Sequence, residues 1–361
     1  MSAELEAVRL AEVLRTARAR DASDVHLTPG CVPIFRVDGR LEPMRSLSMD
    51  APETARMAAH ILNTSARVRF DATGDATVTY RCGESGAFRV HAYQTSRGCC
   101  LAIRLLALRV PPLEALQLPK IVTTLSEKQT GLIIFAGPTG SGKTTAMAAV
   151  IDRVNQTQSK HIITIEDPVE YQHESKRSIV SQREVGSDVS TFAEAIVGAL
   201  RSDPDIVLVG EMRDGPTMKA ALTAAETGHL VVATLHTADA PQTIDRIIDA
   251  FHGSDQAQVR VQLAQSLLGV ICLRLVNCLG RRGRRAAVEV LVASDAVRNI
   301  IRESKSHQLR NQIATGRYLG MQTLESHLSE LVSRHEIGLS EAQAATDRPN
   351  EILGAEAVVN A

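Results

Sequence analysis

The chain has 361 residues, 44% of them hydrophobic and 22% charged, which excludes global disorder and suits about two domains. Forty Lys+Arg against 41 Asp+Glu leave a net charge of −1, and aromatic residues are 3% with no Trp. Those figures exclude a uniformly basic nucleic-acid binder and an aromatic platform for single strands or sugars. No apolar run nears the ~18 residues needed to cross a bilayer. Residues 1–20 lack a signal-peptide apolar core, and the six cysteines form no C-x-x-C pair. The expectation is a soluble cytoplasmic chain with reduced thiols.

Residues 4–20 place Leu5, Val8, Leu10, Val13 and Leu14 at helical spacing, which predicts an amphipathic opening helix. Short β-type runs follow at 25–27, 33–44, 76–82 and 87–96, with Asp38-Gly39 as a hairpin turn and a helix over 51–63. Residues 1–110 thus read as a small α+β domain. Val110-Pro111-Pro112 breaks the pattern, and 111–120 reads as a linker. Over 121–361 the pattern is α/β. Continuous apolar strands at 131–136, 161–165, 206–209 and 230–234 alternate with helices at 143–155, 190–201, 215–226 and 241–251. That alternation predicts a largely parallel sheet covered on both faces. The small polar residues from about 340 onward predict a frayed end.

Gly137-Pro138-Thr139-Gly140-Ser141-Gly142-Lys143-Thr144 fits G-x-x-x-x-G-K-[ST] between a buried strand and a helix. Glycines let backbone N–H groups turn inward around a phosphate at a helix N-terminus. Lys143 would reach the β/γ oxygens and Thr144 would hold Mg²⁺, with Thr145 completing the nucleotide-binding set. Two later strands run into acids: 162–165 into Glu166, Asp167 and Glu170, and 206–210 into Glu211, Arg213 and Asp214. Ligands of open α/β sheets bind beyond the carboxyl ends of strands, so these acids should face the phosphate loop. Glu211 is the candidate for polarising the attacking water and for a water-mediated hold on Mg²⁺; Glu166 is the alternative base. Strand-end acids can also simply cap strands or pair with arginine. Gly210 stands where nucleotide-binding strands usually carry Asp. The strand 230–234 has His229 at one end and His236 at the other; His236 lies on the carboxyl side, where a neutral imidazole can contact a γ-phosphate.

Four motifs therefore stand in order: GPTGSGKTT, TIEDPVEY, DPDIVLVGEMRD and AAETGHLVVATLHT. Together they resemble the secretion ATPase superfamily and, within it, the retraction ATPases of type IV pili. The resemblance runs from ASDVHL at 22–27 to GMQTLE at 320–325, and residues 296–303 resemble the AIRNLIRE segment of retraction ATPases. The four-cysteine zinc loop and long extra N-terminal domain usual in extension ATPases do not appear.

The resemblance implies a PAS-like N-terminal domain, a RecA-like P-loop ATPase domain with C-terminal helices, and a homohexamer. It implies that Arg89 and Arg104, fifteen residues apart, help close a nucleotide site, with Arg97 a weaker candidate, and that His229 and His236 belong to a histidine box. ATP and Mg²⁺ are the implied cofactors. An inner-membrane pilus platform protein, and a second retraction ATPase, are the implied partners at a cytoplasmic, membrane-peripheral location, and no nucleic acid is expected. Residues 271–310 carry nine Arg and Lys against three acids, centred on the 281–285 loop. That cluster reads as a solvated loop, a contact to a platform protein or anionic lipid, or a DNA-backbone contact of a RecA-like DNA motor. A weakly hydrolysing accessory subunit is the other alternative.

Overall fold

A computed structural model describes residues 3–37, 39–280 and 283–353. Asp38 of the expected hairpin turn, Arg281 and Arg282 of the basic loop, and the tail from 354 lie outside the described residues. The chain divides into two compact units, Met1–Arg109 with Pro168–Gln172, and Val110–Asp167 with His173–Ala361.

The first unit contains, in chain order, α1 (Ala3–Ala19), β1 (Asp24–Leu27), β2 (Ile34–Val37), β3 (Arg40–Pro43), α2 (Ala51–Ile61), α3 (Thr64–Thr73), β4 (Asp75–Arg81), β5 (Ala87–Thr95) and β6 (Gly98–Leu105). Its six strands pair antiparallel in the order β3-β2-β1-β6-β5-β4. One sheet face is apolar: Val25, Phe88, Val90 and Ile103 share a core with Leu10 and Leu14 of α1 and Met57 of α2. Side chains alternate across a strand, so Arg89, between the buried Phe88 and Val90, points to the other face.

The second unit contains α4 (Lys120–Ser126), β7 (Gly131–Ala136), α5 (Lys143–Thr157), β8 (His161–Glu166), β9 (Ile179–Glu184), α6 (Phe192–Ala199), β10 (Ile206–Val209), α7 (Gly215–Glu226), β11 (Leu230–Leu235), α8 (Ala240–Asp249) and α9 (Asp255–Ser266). It ends with β12 (Leu267–Asn277), β13 (Arg284–Val292), α10 (Asp295–Arg302), α11 (Leu309–Thr315), α12 (Leu324–Ser333) and α13 (Leu339–Ala344). The seven-stranded sheet has the order β13-β12-β7-β11-β10-β8-β9. All pairings are parallel except the β12–β13 hairpin. Along β7, Leu132, Ile134 and Ala136 face one core while Ile133 and Phe135 face the other, so helices cover both sides.

Caps fix where the helices after the functional strands begin. Asp214 accepts from Thr217 N and Asp239 from Gln242 N, each at 2.8 Å, and each helix has Pro in its first turn.

Two expectations change. Leu113, inside the stretch read as a linker, is buried in the second unit's core, and Glu114 pairs with Arg153 at 2.8 Å. The end expected to fray from about 340 is packed through 353, with Ala342 and Ile352 buried against Leu328 and Leu331 of α12. Apolar residues spaced among small polar ones were enough to anchor it. Among the described residues no helix is long and apolar enough to cross a membrane, and all six cysteines are free.

Candidate active site

The fully buried β7 delivers residues 137–142 to the N-terminus of α5. Gly137 has φ +140°, and a Cβ there would lie 2.4 Å from the Leu273 carbonyl oxygen of β12 and 2.6 Å from Ser141 Oγ. Only glycine fits. Gly140 and Gly142 are also left-handed, at φ +78° and +95°, and Pro138, Thr139 and Gly140 form the exposed tip. Gly142 caps α5 without a side-chain hydrogen bond, which leaves first-turn N–H groups for an anion. Ser141 Oγ is buried with no hydrogen-bond partner among the described residues. Lys143 is 7% exposed, and its ammonium donates to the Gly137 and Pro138 carbonyls at 2.7 and 2.9 Å. Burial pushes the Lys143 ammonium below the ordinary lysine value, opposed by the Glu211 carboxylate. Thr144 follows, half-buried, on the first turn of α5. A helix N-terminus with no side-chain cap, a buried ammonium and an unpartnered hydroxyl suit a phosphoryl group.

The strand order sets how far each strand-end acid starts from this loop. β11 lies between β7 and β10, and β8 lies one strand farther out. With strands ~4.8 Å apart, the end of β10 is about 10 Å from that of β7 and the end of β8 about 14 Å. His236, just past β11, spans the gap. Its Nδ1 lies 3.2 Å from Lys143 Nζ, and its Nε2 lies 3.2 Å from Glu211 Oε1. An ammonium has no acceptor, so Nδ1 accepts from Lys143, while Nε2 lies against Glu211 Oε1. Glu211 Oε2 accepts from Arg213 Nε at 2.6 Å, and the same guanidinium donates to Asp167 Oδ2 at 3.3 Å. The hydrogen bond to Glu211 holds the Arg213 guanidinium above its ordinary value.

Glu166 is held differently. It is buried, and its Oε1 accepts from Thr164 Oγ1 at 2.6 Å and Gln182 Nε2 at 3.1 Å. His229 sits at the amino end of β11, where Nδ1 donates to the Ala224 carbonyl at 3.1 Å. Six strand residues, about 20 Å, separate it from His236, so the structure does not bring it to this chain's loop. In the first unit, Arg89 on β5 and Arg104 on β6 are direct cross-strand partners. Arg104 is also opposite Asp24 of β1, to which its Nε donates at 3.0 Å. Arg97 is exposed at the β5–β6 turn.

A model of the type II/IV secretion system proteins matches residues 3–355. The chain belongs to this family. It is 41% identical over 340 residues to the type IV pilus retraction ATPase PilT of Pseudomonas aeruginosa, covering 94% of this chain and 98% of that relative. It is 40% identical over 342 residues to a twitching motility protein of Neisseria gonorrhoeae, covering 95% and 91%. A crystal structure of the pilus retraction motor PilT with bound ADP superposes with a TM-score of 0.88 at 40% identity, covering 95% of this chain and 98% of that one.

Within this secretion ATPase chain, the fold adds what sequence spacing does not reveal. The clamp of Thr164 and Gln182 on Glu166 joins β8 to β9, a strand with no apolar run to announce it. The Arg213 bridge depends on β8 and β10 being neighbours; an arginine two residues past a strand-end acid was the available signal. In the 296–303 segment, Val297, Ile300 and Ile301 are buried and Arg298 donates to the Gln265 carbonyl at 2.7 Å, so its apolar positions pack inward. Of the basic loop, Arg285 pairs with Glu336 at 2.7 Å.

Proposed function

We propose that this chain is an ATP hydrolase that assembles as a homohexameric ring and powers retraction of type IV pili, and with it twitching motility. The observation that carries the reading is the Lys143–His236–Glu211 link, which joins a phosphate-type loop directly to an acid able to polarise water. Similarity to pilus retraction ATPases over nearly the whole chain supports the biological assignment.

ATP binds with its β- and γ-phosphates on backbone amides of residues 139–145 and on the Lys143 ammonium. Thr144, and Glu211 through water, are the residues that would hold Mg²⁺, whose chemistry is to spread charge over the phosphoryl oxygens. When Lys143 turns to phosphate, His236 Nδ1 loses its donor while Nε2 still faces Glu211, so the imidazole carries the state of the loop to the acid. Glu211 acts as base because His236 links it to the loop. Arg89 and Arg104 offset γ-phosphoryl charge, as arginine fingers do, from the first unit of a neighbouring copy. His229 serves the start of β11. A copy that binds ATP draws that unit in and hydrolysis releases it, which turns differential affinity into rotation. The ring works in the cytoplasm against an inner-membrane platform protein, with a second retraction ATPase as a further partner.

The test is deletion of the gene with surface pili and twitching scored together. Excess pili without twitching is the expected outcome. Cells without pili would overturn the reading in favour of extension.

A further inference from the structure

Both oxygens of the Glu211 carboxylate are engaged, and by groups from different parts of the sheet edge. Oε1 faces His236 Nε2 at 3.2 Å, and Oε2 accepts from Arg213 Nε at 2.6 Å. A glutamate side chain swings about its torsions; the short bond from Arg213 at one oxygen and the His236 ring against the other limit that swing. Arg213 has a second attachment, because NH1 of the same guanidinium reaches Asp167 Oδ2 at 3.3 Å. Asp167 follows β8 and Glu211 follows β10, neighbouring parallel strands with Val209 opposite Ile165. One planar fork thus spans two strand ends, which a lysine's point charge cannot do. Arg213 is 56% exposed and Asp167 40% exposed, and ion pairs so exposed contribute little to stability. Holding the fold together therefore does not explain the arrangement.

We propose that Arg213 is a positioning residue for Glu211, and that Asp167 acts through it. The guanidinium sets the angle at which the carboxylate meets the attacking water, and Asp167 sets the angle of the guanidinium. The proposal rests on Glu211 being the base. Arg213 makes no hydrogen bond to the phosphate loop, so its removal acts on turnover and leaves nucleotide binding alone. Small misplacements of a catalytic group are costly, on the order of a hundredfold per ångström.

Steady-state ATP hydrolysis by the full chain tests this, with thermal melting recorded for every variant. R213Q is expected to lower kcat by about tenfold or more, with KM for ATP within about twofold of the parent and an unchanged melting curve. R213K, which cannot bridge both carboxylates, recovers only part of the loss. D167N gives a smaller loss, and R213Q/D167N is no slower than R213Q alone, since Asp167 has nothing left to orient. A parent-like kcat in R213Q, or equal damage to kcat and KM, overturns the positioning role. Multiplying losses in the double variant overturn the route through Arg213. E211A separates the two levels: turnover persisting there removes Glu211 as the base, whereas turnover lost there with R213Q intact removes only Arg213.

Discussion

Gly210 backs directly onto Glu166: a Cβ at position 210 would lie 3.2 Å from the Glu166 Cα and 3.2 Å from the Ile165 carbonyl oxygen. The Gly210 amide donates to that same carbonyl at 2.7 Å, and Thr234 Oγ1 donates to the Gly210 carbonyl. The missing strand-end Asp thus has a steric cause, for the ends of β8 and β10 close over the space its side chain would need. Gly210→Ala should destabilise the chain by about 1–3 kcal/mol, because the neighbours it meets are backbone atoms that cannot rotate away. Chemical denaturation checks this; an unchanged midpoint would show that the strand ends can part freely.

Lys143→Ala removes the ammonium that approaches the loop carbonyls and His236. Nucleotide affinity should fall by about tenfold or more, as a charge-assisted contact to phosphate is lost. Titration with a fluorescent ATP analogue reads it directly, and an unaltered affinity would sink the loop assignment.

Glu211→Ala should keep ATP binding while turnover falls about a hundredfold, the usual scale for a lost general base. Glu166→Ala should cost less, since Thr164 and Gln182 clamp its Oε1. Single-turnover hydrolysis separates the two; the opposite ranking would move the base to Glu166.

Mixing inactive variants addresses the arginines. If Arg104 serves a neighbour's site, Arg104→Gln and Glu211→Ala subunits should together regain part of the activity, because some interfaces unite an intact arginine with an intact acid. Activity of the mixture equal to the sum of the separate variants would place the arginine in its own subunit's site.

Glu289 predicts a pH dependence. It faces Cys272 across the β12–β13 hairpin, is 4% exposed, and accepts from the Ala240 N–H at 2.8 Å, with Asp239, Glu325 and Arg310 nearby. Burial pushes its carboxyl up to about 7 from an ordinary 4.5. The folded chain therefore keeps a proton that the unfolded chain has released between those values. Its contribution to stability is complete below about 4.5 and is lost as pH rises through about 7, an effect of about 3 kcal/mol. Glu289→Gln preserves the acceptor for Ala240 and removes the charge. The variant should be the more stable protein at pH 8, with the difference shrinking toward pH 5. Urea unfolding at several pH values measures it; parallel curves for parent and variant would refute it.

The nucleotide-side strands are legible because each is an uninterrupted apolar run ended by a glycine or an acid, as in 131–136 and 206–209. Glu211 and His236 follow from their places at such ends. What stays hidden depends on which strands are neighbours. Nothing in the chain order says that β11 separates β7 from β10, so the His236 bridge needs the fold. β9 is half-buried along its length and has no apolar signature, while α3 buries only Ala66 and carries little periodicity. The β12–β13 hairpin lies inside a stretch whose arginines dominate a reading by charge, which conceals the buried Glu289 among its valines and leucines.

β12 has one further bearing on how the chain can be handled. It lies along β7 on the side away from β11, and its Leu273 carbonyl seals the back of Gly137. A chain cut before Leu267 would leave all four nucleotide-side motifs intact on paper. It would also bare the inner strand of the sheet, with unpaired amides beside buried Leu132, Ile134 and Phe135, the kind of edge on which proteins aggregate. The minimal nucleotide-binding fragment is therefore longer than its motifs suggest, and must run at least through the hairpin that closes the sheet.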